Sequence, residues 1–130
     1  MKKGTRQAIL PGIMAHRMSI FLNNRIPGEP FGFVFDRGCL HSFDTDKERR
    51  QFAENVASHL EEGGLWLTLA GNADEKDRET GPPKLTAEEL AASVKPYCEI
   101  ITLTSGYFGS NQSDPPKAWV CLMRKRESGQ

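Results

Sequence analysis

The side chains best suited to chemistry gather in FVFDRGCLH, residues 33–41. Asp36, Arg37, Cys39 and His41 bring a carboxylate, a guanidinium, a thiol and an imidazole together directly after an aromatic, β-branched run. Cys39 and His41 have the spacing of a partial metal site, but no second Cys or His pair completes a tetrahedral set, so no metal site is expected. Cys39 as nucleophile with His41 as base has only sequence proximity behind it, and two positions apart is not hydrogen-bonding geometry. A third use is ligand binding, because ligands of open α/β sheets sit outside the carboxyl ends of the strands. A purely structural use has equal weight: Asp36 and Arg37 satisfy turn backbone and each other, while Cys39 and Leu40 pack.

The elements that must position this turn are legible from residue 31 onward. FGFVF, residues 31–35, follows the turn-forming Pro27, Gly28, Glu29 and Pro30 and reads as a strand. Thr45 and Glu48 have capping-box spacing, and Phe52, Val56 and Leu60 recur every four residues. Gly63 and Gly64 supply a left-handed stop, so the pattern predicts a helix over 46–62. LWLTLA, residues 65–70, is nearly unbroken apolar sequence, as in a strand covered on both faces. A charged loop containing Glu75, Lys76, Asp77, Arg78 and Glu79 reads as exposed and ends at Gly81, Pro82 and Pro83. Thr86 and Glu89 repeat the capping box, with Leu85 and Leu90 placed as a hydrophobic staple, and Pro96 stops that helix near Lys95.

CEIITLT, residues 98–104, and AWVCLMR, residues 118–124, read as strands. The intervening segment, with Gly106, Gly109, Pro115 and Pro116, leaves little room for a helix, which favours an antiparallel hairpin. The fold class is therefore α/β: an open, mostly parallel sheet with a C-terminal antiparallel hairpin. Before residue 31, Ile13, Met14, Arg17, Met18, Phe21 and Leu22 fit a helical stripe. SIFL, residues 19–22, also reads as a short strand, and helix is the preferred reading. The organisation is then a segment over 1–30, an α/β domain over 31–126 and a tail over 127–130.

Composition sets outer bounds. Seventeen basic and seventeen acidic residues give a formal net charge of zero, which argues against a nucleic-acid or anionic-membrane field over the surface. No apolar run reaches the roughly 20 residues of a membrane span. The basic start MKKGTRQAILPG is followed by no uninterrupted hydrophobic region. Three cysteines, Cys39, Cys98 and Cys121, are odd in number and unpaired in spacing, which fits reduced thiols in a cytoplasmic protein. His59 lies beside the apolar stripe of its helix and reads as a boundary residue. His16 supports no role, and the basic terminus MRKRE is a solvated strand end.

FGFVFDRGCLHSF, the capped helix, EEGGLWLTLAG, the G-P-P loop and the closing hairpin together resemble the C-terminal half of a class I S-adenosylmethionine-dependent methyltransferase. The nearest branch is the thiol, thiopurine and tellurite group, and the likeness spans roughly residues 26–126. It implies a partial Rossmann-like methyltransferase sheet with S-adenosylmethionine as cofactor and a small-molecule methyl acceptor. Carried over, Asp36, Arg37 and Gly38 would contact the cofactor, Cys39 and His41 would face the substrate, and Pro82 and Pro83 would wall its pocket with Gly81. No catalytic residue is implied.

The sequence also departs from the family. No G-x-G element is present, and the family's first two strands and their helices have no room ahead of residue 31. Ser19 and Ile20 stand near the point where the family tends to place an Asp. The expectation is a truncated or incomplete methyltransferase, weak or inactive alone. The alternative is a non-catalytic domain acting through self-association or a partner chain. In the family's strand order, three-two-one-four-five-seven-six, residues 31–35 would pair with a missing first strand. That leaves an open edge, to be covered by the N-terminal segment or by a second copy in a homodimer.

Overall fold

The computed structural model describes residues 7–10, 29–74, 83–109 and 114–127. Five strands form one sheet: β1 (Gln7–Leu10), β2 (Phe31–Arg37), β3 (Leu60–Gly71), β4 (Cys98–Tyr107) and β5 (Lys117–Lys125). Two helices, α1 (Asp46–Ser58) and α2 (Ala87–Val94), and a 3₁₀ turn over Leu40–Ser42 complete the described elements. The strand order is β1-β2-β3-β5-β4. β1, β2 and β3 pair in parallel, while β5 is antiparallel to both β3 and β4. Four strands thus point one way, with the hairpin expected at the C-terminus.

Both helices begin as their capping residues dictate. The Thr45 side chain accepts from the Glu48 N–H at 3.1 Å, and Thr86 and Glu89 form a complete reciprocal box at the start of α2. Leu85 and Leu90 are both buried, as a staple requires. α1 ends at Ser58, four residues before the expected stop. Leu60 is drawn into the core as the register partner of Phe31, so the chain turns extended immediately after His59. The glycine pair serves the strand instead of the helix. Between Phe31 and Phe33 on β2, the partner on β3 advances from Leu60 to Leu65, and Gly63 adopts φ +76° within that bulge. A Cβ on Gly64 would stand 2.9 Å from the Glu61 carbonyl oxygen, so the bulge closes only over a residue without a side chain.

The N-terminal region corrects a second expectation. Residues 7–10 form a strand, and β1 pairs in parallel with β2 from Gln7–Phe33 to Leu10–Asp36. The edge of residues 31–35, expected to be covered by the N-terminal segment or by a second copy, is occupied from Phe33 onward by the chain's own strand, so the first strand expected to be missing has a counterpart. Residue 31 is not a boundary of the sheet. The helical stripe and the SIFL segment lie outside the described residues.

The strands divide their side chains between two unlike faces. Val34, Trp66, Ala70, Cys121 and Met123 point to the face on which α1 and α2 pack, and with Phe52, Leu90 and Val94 they form one buried core. Phe52 meets the Trp66 indole edge-on at 5.9 Å. Arg49 is buried beside this core, donating from Nη1 to the Phe43 carbonyl at 2.9 Å and from Nη2 to Asp46. Phe33, Phe35, Leu65, Leu67, Leu69, Val120 and Leu122 alternate onto the opposite face, where all seven are only partly buried. None joins the core cluster. No described helix is long and apolar enough to cross a membrane.

Candidate functional site

The turn after β2 is built from the inside out. Asp36 has no exposed surface. Its carboxylate accepts the Trp66 indole N–H at 2.6 Å and the Cys39 backbone N–H at 3.2 Å. Thr68, its register partner on β3, stands close enough to favour the ionised carboxylate but makes no hydrogen bond of normal geometry. Burial dominates these contacts and pushes the carboxyl up to about 6. Gly38 then takes φ +88°, a left-handed conformation that suits glycine, and its N–H donates to the Leu69 carbonyl at 2.9 Å. The Ser42 hydroxyl closes the turn onto the Gly38 carbonyl at 2.6 Å.

Cys39 follows the same inward course. It is fully buried, and desolvation together with the Asp36 charge raises its thiol pKa well above the usual range. Arg37 alone in this turn points to solvent, and even it is engaged. Its Nη2 donates to the Gly109 carbonyl at 2.8 Å, and its guanidinium carbon lies 5.3 Å from the centre of the Phe108 ring. His41 meets the same ring edge-on, with ring centres 5.9 Å apart. The His41 Nδ1 accepts the Gly71 N–H at 2.6 Å, which puts the proton of the neutral ring on Nε2. Burial, with help from the Arg37 charge, lowers its pKa to about 4.

The structure therefore unites Arg37, His41 and Phe108 at the carboxyl end of β2, and separates them from Asp36 and Cys39. The placement of Asp36 and Cys39 differs from the ligand contact expected of them, because each is sealed beneath the turn. Gly38 is buried and held by Leu69. Pro83 is exposed, and its carbonyl approaches Gly71 so closely that a Cβ there would lie 1.8 Å from its oxygen. Gly81, Pro82 and the charged loop of residues 75–79 lie outside the described residues.

Sequence reasoning missed three groups here. Trp66 supplies the only long-range side-chain donor to Asp36 among the hydrogen bonds of the described residues, and inside LWLTLA it read only as bulk. Asn72 is buried at the end of β3, donating to the Ser105 hydroxyl at 3.2 Å and accepting from the Asp74 N–H at 2.8 Å. A polar residue directly after an apolar strand was the available signal for it. Phe108 gave no signal, since its role depends on a turn more than 60 positions earlier. His59, read as a boundary residue, is almost fully buried, stacks on Phe31 and lies 3.5 Å from the Glu29 carboxylate.

Among the described residues, no set of three or more His, Cys, Asp or Glu side chains is placed to hold a metal ion. A groove of about 710 Å³ runs beside α1, lined by Lys47, Arg50, Gln51, Glu54, Asn55, Ser58 and Tyr97, and none of the β2 turn residues borders it.

The strand order gives this architecture its kinship. Order β1-β2-β3-β5-β4 with a reversed β5 matches the one-four-five-seven-six part of the strand order that the resemblance implied. Solved structures agree. A SAM-dependent methyltransferase from Methanosarcina mazei matches with a TM-score of 0.65 at 13% identity over 95% of this chain and 94% of that one. The N-methyltransferase NodS from Bradyrhizobium japonicum, in complex with S-adenosyl-L-homocysteine, matches at 0.59 and 10% identity over 94% and 79%. TehB from Haemophilus influenzae matches at 0.53 and 17% over 75% of this chain but only 36% of its own. No protein-family model matches the sequence, and no curated protein matches it. At these identities the likeness is one of fold, and the fold is the Rossmann-like one of these methyltransferases.

The three residues that the resemblance implied for S-adenosylmethionine are each held by contacts within the fold. Asp36 is committed to the Trp66 indole, Gly38 to Leu69, and Arg37 to Gly109 and Phe108.

Proposed function

We propose that this chain is an S-adenosylmethionine-dependent methyltransferase domain for a small, thiol-like acceptor, weak or inactive alone because a further polypeptide supplies part of its cofactor cradle. One observation carries the second half of that reading. The steps β1 to β2, β2 to β3 and β3 to β4 all advance across the sheet in the same direction. In doubly wound sheets the ligand crevice opens where neighbouring connections leave for opposite faces. Of the described connections, those carrying α1 and α2 pack on one face, so no such point lies between β2 and β4. β1, which would flank the crevice, is the sheet's last described strand.

The strand order and the D-R-G turn support the family origin. The neutral surface favours a small molecule over nucleic acid or membrane as partner. Three buried cysteines outside any disulfide suit a reducing compartment such as the cytoplasm. The alternative reading, a non-catalytic domain that works by association, is favoured by the apolar sheet face that no described helix covers.

Calorimetric titration with S-adenosylhomocysteine tests the proposal. The expected result for the chain alone is a Kd weaker than about 100 μM, or about −5.5 kcal/mol. Tighter binding would overturn the requirement for an outside cradle. Recovery of binding or methyl transfer to a small thiol on adding a complementing polypeptide would support it.

A further inference from the structure

We propose that Phe108 and Gly109 form a strap across the carboxyl end of the sheet, latched by Arg37 and opened when His41 takes up a second proton. The inference stands apart from the methyltransferase reading and survives its failure. In the sheet, β3 and β5 lie between β2 and β4, so Arg37 and Gly109 belong to chain that leaves two strands which are not neighbours. The hydrogen bond from Arg37 Nη2 to the Gly109 carbonyl, at 2.8 Å, spans the ends of the strands between them.

The strap is separable from the rest of the fold. Phe108 is buried but is no member of the core cluster. Its ring meets the Arg37 guanidinium and the His41 imidazole, and its N–H donates to the Pro116 carbonyl at 2.9 Å. A Cβ on Gly109 would meet no atom within 4 Å, so the strap has open space on that side. Weak attachment to the core and a polar latch are the marks of a segment that opens locally.

The geometry selects a proton as the trigger. His41 is buried, and its Nδ1 accepts the Gly71 N–H at 2.6 Å. Protonation turns that acceptor into a donor and sets two N–H groups against each other. Gly71 has no room to retreat. A Cβ there would lie 1.8 Å from the Pro83 carbonyl oxygen, and its own carbonyl accepts the Leu85 N–H at 2.8 Å. The imidazole must move instead, and the ring it touches outside the core is Phe108.

Charge acts in the same direction. The β2 turn contributes Arg37, which shares Phe108 with His41, the buried Cys39 thiol, and Asp36, whose carboxylate is taken by Trp66 and the Cys39 N–H. From β3 come Gly71 and Asn72, from the loop before α2 Pro83 and the exposed Lys84, and from β4 Phe108 after the exposed Tyr107. The one carboxylate in this set is committed elsewhere, so an imidazolium gains no counter-ion from it. Burial and the Arg37 charge accordingly hold His41 below its ordinary range.

NMR from about pH 7.5 to about pH 3, following the His41 ring nitrogens and the backbone amides together, tests the proposal. His41, Gly71, Phe108 and Gly109 are expected to shift with one midpoint below 6.5, and the nuclear Overhauser contact between the His41 and Phe108 rings to vanish. Amides of Phe52 and Val56 in α1 stay in place through that step. Arg37→Leu changes an exposed side chain, so it keeps the far-UV circular dichroism spectrum and raises the midpoint by about one pH unit. His41→Gln keeps an acceptor for the Gly71 N–H but has no proton to gain, and the step at Phe108 and Gly109 disappears. Should His41→Gln fail to fold, Phe108→Ala keeps the test open by moving the His41 midpoint up toward 6.5.

Strap amides that hold their positions while His41 titrates would overturn the proposal. So would a step that survives His41→Gln, or one that moves the α1 amides at the same midpoint, which is unfolding of the whole domain.

Discussion

The two faces of the sheet share strands, length and sequence neighbourhood, yet they solve different problems. On the helix-covered face, Trp66 and Asp36 exchange a buried hydrogen bond under α1, and nearly every side chain is sealed from water. On the other, Leu65, Leu67 and Leu69 alternate with those same residues and keep part of their surface in contact with solvent. A one-residue shift along β3 thus separates a packed polar-aromatic core from an apolar surface. Stability resides on the first face. Whatever the second does must involve something added to it.

The sharpest way to break this contrast is to truncate adjacent residues. Trp66→Ala removes the largest buried side chain and leaves the Asp36 carboxylate without its indole donor. It should cost about 3–5 kcal/mol, enough to unfold a marginal domain, as read by urea denaturation. Leu67→Ala, one position on, should cost about 1 kcal/mol when measured at concentrations where the chain is monomeric. Equal losses at the two positions would mean that the second face is covered after all.

Proton linkage sharpens the same comparison from within the covered face. Asp36 is raised from 3.8 to about 6, so its contribution is complete below pH 4 and declines by about 3 kcal/mol as pH rises to 6. His41 is lowered from 6.5 to about 4. Its contribution is complete above pH 6.5 and declines by about 3 kcal/mol as pH falls to 4. The two slopes oppose each other across nearly one window, and their sum is close to flat. Asp36→Asn should expose the His41 slope, with stability rising by about 3 kcal/mol between pH 4 and 6.5 in chemical denaturation. An unchanged profile would show that the carboxyl is ionised in the folded protein.

An effect smaller than the proton linkage lies at the junction where the covered face meets the loop before α2. Gly71→Ala forces a methyl group against the Pro83 carbonyl, and backbone must move to admit it. A loss of about 2 kcal/mol is expected in thermal unfolding. The imidazole tautomer should change with it, because Gly71 N–H is the donor that fixes His41. ¹⁵N shifts of the His41 ring nitrogens read that change directly.

Much of this architecture was legible in the sequence because local chemistry dictated it. Thr45 with Glu48 and Thr86 with Glu89 mark helix starts whatever the surroundings. The closing hairpin follows from a segment with no room for a helix. The resemblance supplied the strand order, which periodicity alone does not contain. The misreadings come from signals with two physical meanings. Gly63 and Gly64 suit a helix cap and a β-bulge equally, since both need a positive φ, and only the pull of Leu60 into the core decides between them.

Residues 7–10 are too short to show a period, and their strand exists because β2 offers an edge. The polar turn Asp36-Arg37-Gly38-Cys39 read as a ligand site because polarity in sequence carries no direction. Asp36 and Cys39 turn inward because Trp66 waits on the next strand with a donor, thirty positions away. The structural alternative, weighed equally at the outset, describes Cys39 and Leu40 correctly as packing. It misses that Arg37 pairs with Phe108 and Gly109 and not with Asp36.

Cys39, Cys98 and Cys121 all have zero exposure, and burial pushes the Cys98 thiol up to about 11 and the Cys121 thiol to about 12. A folded molecule therefore offers almost no thiolate to an alkylating reagent, and modification waits on local or global opening. The protein carries its own breathing gauge: one sulfur beneath the β2 turn, one on the outer described strand β4 and one on the interior strand β5. Comparing their labelling rates would map which part of the domain loosens first, without any engineered probe.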